Sequence, residues 1–362
     1  MRPTHYTPIS TGLAGFPRVR LARGVRRSLT MASLALPLTA CLELRDDTDD
    51  PRIQPWLFEE HQGEILTLAA TEAIVYSGGS DQIVRAIEAE SGAEQWEFGG
   101  PIGGHQAWIR DLAVAGDRLY SASSDGSVRA LDADQGEERW VFEGHDAGVH
   151  AVAAAQGQVF SGGDDRTVRA ADADRGDEQW IFDGHDSGVY EADDTIYGLA
   201  ASAEMERVFT ASGDATVRAL EIATGEEVWR FEAHEGRVNA VAAEGQRLYT
   251  AGADGSVRAL DATSGDQLWA FEGHADAVLD VTVADGRVYS ASADGTVRAL
   301  EVEAGTEQWS FRDHEEEGTL LSGVAVQAVA AGTETVYSAG SDGPLRAIDA
   351  GSGEARTIFR GP

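Results

Sequence analysis

The chain has 362 residues, with 62 acidic and 28 basic side chains and a formal net charge of -34 at pH 7. This charge repels nucleic-acid phosphates and anionic lipid head groups, so we expect no nucleic-acid partner. Cys41 is the only cysteine, so no intramolecular disulfide can form and the fold must depend on packing.

The basic residues are all arginine, and a surface this acidic resembles those of proteins from salt-loving microbes. Molar salt shortens the electrostatic screening length to about 3 Å and suppresses repulsion between carboxylates. We therefore predict a halophilic prokaryote as the source. An ordinary acidic protein is the alternative.

The first 40 residues differ in composition from the rest. Residues 1–30 contain six arginines and no acid, and the apolar stretch 29–40 is too short for an ordinary membrane span. Leu38-Thr39-Ala40-Cys41 is similar to the lipobox of prokaryotic lipoproteins, which implies cleavage before Cys41 and acylation of its sulfur. Arg26-Arg27-Ser28-Leu29 resembles a twin-arginine export signal. We therefore predict a signal peptide over 1–40 and a lipid anchor at the extracytoplasmic face of the cell membrane.

Residues 41–55 form the next predicted segment. Four aspartates precede Pro51, and such a composition cannot bury a hydrophobic core. We interpret the segment as an acidic tether behind the lipidated Cys41. Loss of residues 1–40 would change the net charge from -34 to -40.

From residue 56 a unit of about 40 residues recurs seven times, which is the period of a propeller blade. In one unit Gly286–Ser290 reads as a strand, Asp294-Gly295 as a hairpin turn, Thr296–Leu300 as the paired strand and Trp309–Phe311 as an outer strand. We predict an all-β, seven-bladed β-propeller of four-stranded antiparallel blades over residues 56–362.

Three polar positions recur around the turn aspartates: a loop histidine precedes each, a hydroxyl lies four residues before it and an arginine four residues after it. The predicted structural network in the middle blades comprises His145, Ser161 and Asp165; His185, Thr210 and Asp214; His234, Thr250 and Asp254; and His274, Ser290 and Asp294. The arginines are Arg85, Arg129, Arg169, Arg218, Arg258, Arg298 and Arg346. We expect each arginine to pair with a carboxylate, the acid three residues later being a candidate, or to stack on an aromatic ring.

These positions resemble the WD-repeat family, whose blades link histidine, hydroxyl and aspartate by hydrogen bonds. The resemblance covers nearly all of residues 56–360. The strand tryptophan of that family is absent. A tryptophan lies on the outer strand instead, and the run 259–265 followed by Trp269 is similar to the pyrroloquinoline-quinone propellers, in which an indole docks between blades.

A triad repeated in almost every blade is typical of architecture, so we predict no catalytic residue, no cofactor and no metal site. The predicted function is that of a membrane-tethered, monomeric binding or assembly scaffold. The alternative is a quinone-dependent dehydrogenase or a small-ligand-binding propeller. Such a dehydrogenase would need a cofactor cage over calcium, which the nearly uniform blades do not suggest.

Insertions relative to the 40-residue period indicate the binding face. They fall at 99–104, near 190–197 and after His314, in connections from an outer strand to the next inner strand. The predicted partner-binding residues of this face are Trp108, Arg110, His150, Tyr190 and Asn239. A gap-filling role beneath the longer loop is the alternative for Trp108.

The ends of the repeat region contain one outer-strand segment too many for a ring of seven blades. We predict that residues 53–58 supply the outer strand of the last blade, and that 355–360 form a fifth strand or a tail.

Overall fold

The computed structural model describes residues 53–55, 57–100, 103–185, 193–232, 234–312 and 324–359. The predicted fold is confirmed: the described residues form seven four-stranded antiparallel sheets and one two-stranded sheet. No helix in this part of the chain could cross a membrane.

The strands are numbered in chain order. The first two are β1 Ile53–Pro55 and β2 Leu57–Phe58. Blade 1 contains β3 Ile65–Ala70, β4 Ile74–Gly79, β5 Ile83–Glu88 and β6 Glu94–Gly99. Blade 2 contains β7 Ile109–Ala115, β8 Arg118–Ser123, β9 Val128–Asp132 and β10 Glu138–Phe142. Blade 3 contains β11 Val149–Ala155, β12 Gln158–Gly163, β13 Val168–Asp172 and β14 Glu178–Phe182.

The remaining blades follow the same order. Blade 4 contains β15 Ile196–Ser202, β16 Arg207–Ser212, β17 Thr216–Glu221 and β18 Glu227–Glu232. Blade 5 contains β19 Val238–Glu244, β20 Arg247–Gly252, β21 Val257–Asp261 and β22 Gln267–Phe271. Blade 6 contains β23 Val278–Ala284, β24 Arg287–Ser292, β25 Val297–Glu301 and β26 Glu307–Phe311. Blade 7 contains β27 Val326–Ala331, β28 Thr335–Gly340, β29 Leu345–Asp349 and, as its outer strand, β2; the last described strand is β30 Thr357–Phe359.

The first strand of each blade lines the ring, and each inner strand contacts those of the two neighbouring blades. A one-residue irregularity shifts the register near the start of every inner strand, as between Val238 and Ala240. Such a bulge bends the strand and re-aims its side chains. The inner strands surround a central channel, and the outer strands lie at the periphery of the propeller.

The hydrophobic core consists of seven layers, each between two adjacent blades. In the layer between blades 5 and 6, Tyr249 and Leu300 are at most 1% exposed. Neither blade could keep this apolar surface from water alone, so the stability of each blade depends on its neighbours.

Segments from both ends of the repeat region contribute to blade 7. Strand β2 pairs with β29, with Phe58 opposite Leu345, so the prediction for the end of the 53–58 segment is confirmed. It is wrong for β1, which pairs with β30 in the separate two-stranded sheet. Ala355 forms a bridge to Ile348 in blade 7. Because β2 covers only the first two residues of β29, the edge beyond them remains available and residues 355–356 occupy it.

The outer-strand tryptophans join successive blades. The indole Nε1 of Trp269 in blade 5 donates to the carbonyl of Val302 in blade 6 at 2.9 Å. A Cβ added to Gly305, whose φ is +66°, would lie 2.6 Å from that indole. Only glycine accommodates both the positive φ and the close ring. The same pairing recurs for Trp96, Trp140, Trp180, Trp229 and Trp309 with Gly136, Gly176, Gly225, Gly265 and Gly353.

Candidate binding site at the mouth of the channel

The histidine, hydroxyl and aspartate of each middle blade lie within hydrogen-bond distance. In blade 4, His185 Nδ1 lies 2.9 Å from Asp214 Oδ2, and Nε2 lies 2.7 Å from Thr210 Oγ1. The corresponding histidine contacts have these distances: His145 to Asp165 2.9 Å and to Ser161 2.8 Å; His234 to Asp254 3.0 Å and to Thr250 2.8 Å; His274 to Asp294 3.1 Å and to Ser290 2.7 Å. Blades 1 and 2 contain the same arrangement, at His61, Ser77 and Asp81 and at His105, Ser121 and Asp125.

The network is buried, with Thr210 and Thr250 at 0% exposure. Burial alone would raise the pKa of Asp214, but hydrogen bonds from His185 and Thr216 and the charge of His185 lower it overall. Burial also lowers the pKa of His185 and His234. A hydroxyl enclosed in this way cannot meet a substrate, so the network can connect strands but is poorly placed for nucleophilic catalysis.

The recurring arginines pair with carboxylates, although not with the acids three residues later. Arg218 donates to Glu227 at 2.8 Å on the outer strand and to Asp214 at 3.1 Å in the turn. The aspartates three residues later accept backbone N–H groups of the next turn, as Asp172 does from Asp174 and Arg175. The reason is direction: adjacent β-strand residues point to opposite faces, so a residue three positions away cannot share the arginine's face.

The channel enclosed by the inner strands has a volume of about 390 Å³. Asp111 and Asp280 lie in its wall, on blades 2 and 6. Asp111 accepts the backbone N–H of Val152 in blade 3 at 2.8 Å, and Asp280 accepts that of Val329 in blade 7 at 2.8 Å. Each carboxylate therefore connects its blade to the next one.

Enclosure by the protein determines the ionisation of these two groups. Burial, with a smaller contribution from the charge of Asp280, raises the pKa of Asp111 to about 7 against the lowering effect of its hydrogen bonds. Burial likewise raises the pKa of Asp280 to about 6. Sequence reasoning missed both residues, although the same position is alanine or glycine in blades 3, 4, 5 and 7, and this departure from the repeat is the signal that could have identified them.

At one end of the channel, blades 2 to 5 place large polar side chains at the second residue of the inner strand. Three of the predicted partner-binding residues, Arg110, His150 and Asn239, occupy this position in blades 2, 3 and 5 and line the channel. Tyr190 lies outside the described residues. The residue in this position of blade 4 is Tyr197, because the insertion precedes the strand and β15 begins only at Ile196.

We call the polar and aromatic side chains at this end of blades 2 to 5 the mouth cluster: Trp108, Arg110, His150, Asp164, Asp193, Tyr197, Arg237 and Asn239. The ring centroids of His150 and Tyr197 are 5.5 Å apart in an edge contact. His150 Nε2 lies 2.9 Å from Asp164 Oδ1, and the Tyr197 hydroxyl donates to Asp193 at 2.9 Å. The Asn239 side chain donates to the carbonyl of Val278 in blade 6 at 2.6 Å.

Trp108 lies at the outer margin of this cluster and is 46% exposed. Its ring lies beneath the guanidinium of Arg110, with 4.7 Å between Cζ and the ring centroid. Arg110 in turn donates from Nε to Ser124 Oγ at 2.7 Å. The cluster therefore presents an exposed indole beside a fixed cation. Within the described ranges, no group of three His, Cys, Asp or Glu side chains could hold a metal ion.

The comparisons with known proteins agree with this architecture. A family model described as outer membrane protein assembly factor BamB matches residues 80–201, 195–279 and 213–358. Together these matches extend over more than half of the chain. Among curated proteins, no sequence is significantly similar.

Two solved structures are similar in fold. The WD40 β-propeller domain of Doa1 superposes with a TM-score of 0.67 at 19% identity, covering 82% of this chain and 96% of that one. The computationally designed Ika8 protein superposes with a TM-score of 0.58 at 22% identity, covering 81% of this chain and 99% of that one. Identities this low support the propeller architecture and nothing more specific.

Proposed function

We propose, from the premise that the chain belongs to the propeller-repeat family described as outer membrane protein assembly factor BamB, that it is a binding or assembly scaffold for another protein. The observation that carries the proposal is the mouth cluster. It collects an exposed tryptophan, two arginines and a tyrosine on the side of the ring where the repeats are interrupted. Tryptophan, tyrosine and arginine are the side chains that most often dominate binding energy in protein interfaces.

A non-enzymatic role is part of this proposal. The histidine, hydroxyl and aspartate positions that could suggest a hydrolase are buried and recur in six described blades. Repetition of this kind supports architecture, because a catalytic site needs one accessible nucleophile rather than several enclosed ones.

The test of the scaffold proposal is a matched pair of substitutions at exposed apolar side chains. Trp108→Ala should weaken capture of the partner from native membranes by about tenfold or more, because an interface tryptophan contributes roughly 2 kcal/mol or more. Leu268→Ala, at an outer-strand residue of similar exposure (47% against 46%), should leave capture unchanged.

Partner identity is read from proteins that cross-link to a photoreactive side chain at position 108 and not to one at position 268. Equal capture by both alanine variants, with both folded, would contradict a binding role for this face. Unfolding of Trp108→Ala would favour the gap-filling role of that indole.

We further propose that the scaffold is a monomer held at the extracytoplasmic face of a halophile's cell membrane by a lipid on Cys41. The lipobox-like run and the excess of acidic side chains support this placement. The prediction is that Cys41→Ser moves the protein from the membrane fraction to the soluble fraction without changing its thermal unfolding. Thr48→Ser in the adjoining tether serves as the control and should remain with the membrane. Membrane association of Cys41→Ser would instead point to an uncleaved leader or to a protein contact, since a single acyl chain binds only marginally.

A further inference from the structure

The mouth of the channel is chemically asymmetric. Around the ring, the second residue of the inner strand is Arg110, His150, Tyr197 and Asn239 in blades 2 to 5, whereas blades 6, 7 and 1 have Leu279, Gln327 and Leu66. Two of the three other blades thus have an apolar side chain at this position, and none of the three has a charged one. Any ligand bound through ionic contacts must therefore lie over blades 2 to 5.

Two arginines of the arc formed by blades 2 to 5 make no ion pair with an acid of the described residues. Arg110 lies over Trp108, and Arg237 of blade 5 lies over the ring of Tyr197 with 5.0 Å between Cζ and the centroid. Among the described residues, neither has a carboxylate oxygen within 4.0 Å, although seven recurring arginines of the blades have a carboxylate or amide partner.

The acids of the arc already have partners. Asp164 contacts His150 and accepts a hydrogen bond from Thr195 at 3.2 Å, and Asp193 accepts the hydroxyl of Tyr197. Arg110 uses Nε for Ser124, and the donors at the end of its guanidinium make no hydrogen bond to any residue that the structure describes. Burial lowers the pKa of Arg110, against the opposite effects of Asp164 and Tyr197. A partly buried cation without a close counter-charge gains most from an anion that pairs with it there.

We infer that the mouth cluster binds a carboxylate of the protein partner, with Arg110 and Arg237 as the two cations that attract it and Trp108 as the apolar contact beside Arg110. This inference rests on the proposed function and adds the chemistry of the recognised group. Planar guanidinium groups can donate two parallel hydrogen bonds to a carboxylate, and stacking on Trp108 and Tyr197 holds both groups in orientation. The carboxylate belongs to an aspartate or glutamate side chain or to the chain end of the partner.

The experiment titrates the folded full chain with three short peptides and follows the arginine Nε–H and tryptophan indole resonances by NMR. The first peptide is acetyl-Ala-Phe-Asp-Phe-Ala-amide. The second has Asn in place of Asp, and the third has Asn and a free C-terminal carboxylate. At least one carboxylate peptide should bind about tenfold more tightly than the neutral one, and the preferred peptide identifies the source of the carboxylate.

Arg110→Gln and Arg237→Gln, singly and together, should abolish the preference. Arg175→Gln provides the matched control, because Arg175 is exposed on the turn between the third and fourth strands of blade 3, remote from the inner strands. Should a glutamine variant unfold, Arg110→Lys keeps the charge and removes the planar fork, and it should weaken the preference without abolishing it.

Equal binding of the three peptides, or binding of none, would overturn the carboxylate inference. The scaffold proposal would still stand in that case if Trp108→Ala reduced partner capture. Loss of the carboxylate preference in Arg175→Gln would also overturn the inference, because the effect would then be one of total charge.

Discussion

Replacing Trp269 by alanine should lower the free energy of unfolding by about 3 to 5 kcal/mol, the range for removal of a large buried aromatic side chain. Trp269 is 9% exposed, packs 5.9 Å from Tyr249 between ring centroids and donates to Val302 in the next blade. The substitution removes the hydrogen bond, opens a cavity between blades 5 and 6 and leaves Arg247 as the remaining donor to the Val302 carbonyl.

Chemical denaturation followed by far-UV circular dichroism measures this effect. Trp108→Ala is the matched control, since Trp108 is 46% exposed and should change the unfolding free energy by less than about 1 kcal/mol. Gly305→Ala should also destabilise the protein strongly, because the added methyl meets the Trp269 indole and requires an unfavourable φ. Similar stabilities for Trp269→Ala and Trp108→Ala would show that the indoles do not hold the blades together.

Two aspartate-to-asparagine substitutions should respond to pH in opposite directions. The pKa of Asp214 is lowered in the folded protein, so its ionised form stabilises the fold above the unfolded pKa of about 4 and this stability is lost as the pH falls. The cost of Asp214→Asn should therefore be about 1 to 3 kcal/mol near pH 7 and decrease towards pH 3.

Asp280 behaves in the opposite way, because its folded pKa is raised to about 6. The folded state then binds more protons than the unfolded state between about pH 4 and 6, so stability falls as the pH rises through this window. Asp280→Asn removes the ionisable group. It also replaces one of the two carboxylate oxygens that accept the N–H groups of Val281 and Val329 by an amide NH₂ group, which cannot accept. Its cost should therefore be largest near pH 3 to 4, decrease between about pH 4 and 6, and change little from there to pH 8.

The measurement is the difference in unfolding free energy between each variant and the parent at pH 3 to 8 and fixed salt. Asp111, which faces the same channel and has a pKa raised to about 7, remains in both proteins, and Asp280→Asn also removes the contribution of the Asp280 charge to that pKa. Parallel pH profiles for the two variants would contradict the opposite environments described for these carboxylates.

Sequence repetition alone determined the propeller, its blade number and its polar network. A unit of about 40 residues cannot bury both faces of its sheet, so repetition implies stacking, and the recurrence of histidine, hydroxyl and aspartate at constant spacing indicates that they meet in each blade. Trp108, Arg110, His150 and Asn239 could be singled out because they depart from that repetition.

Residues that differ in register or lie across the ring could be placed only by the tertiary structure. From the sequence, either Tyr190 or Tyr197 could occupy the channel position of blade 4, because the length of the preceding loop is not encoded locally. The pairing of Ile196 with Ser212 assigns this position to Tyr197. Arg237 and Tyr197 belong to different blades, and Asp111 and Asp280 are 169 positions apart. Their proximity follows from closure of the ring, which no local pattern encodes.

The division of the outer edge of blade 7 between two terminal segments was not predicted from the sequence, for the same reason. Both terminal segments have β-prone residues, and the choice between them depends on which edge atoms of β29 each can reach. In the structure β2 occupies one end of that edge and Ala355 the other. Sequence therefore determined the repeated unit, because each blade is specified by local alternation, turns and spacing. Tertiary structure decided how the ring closes and where its one irregular mouth lies, because both depend on contacts between residues far apart in the chain.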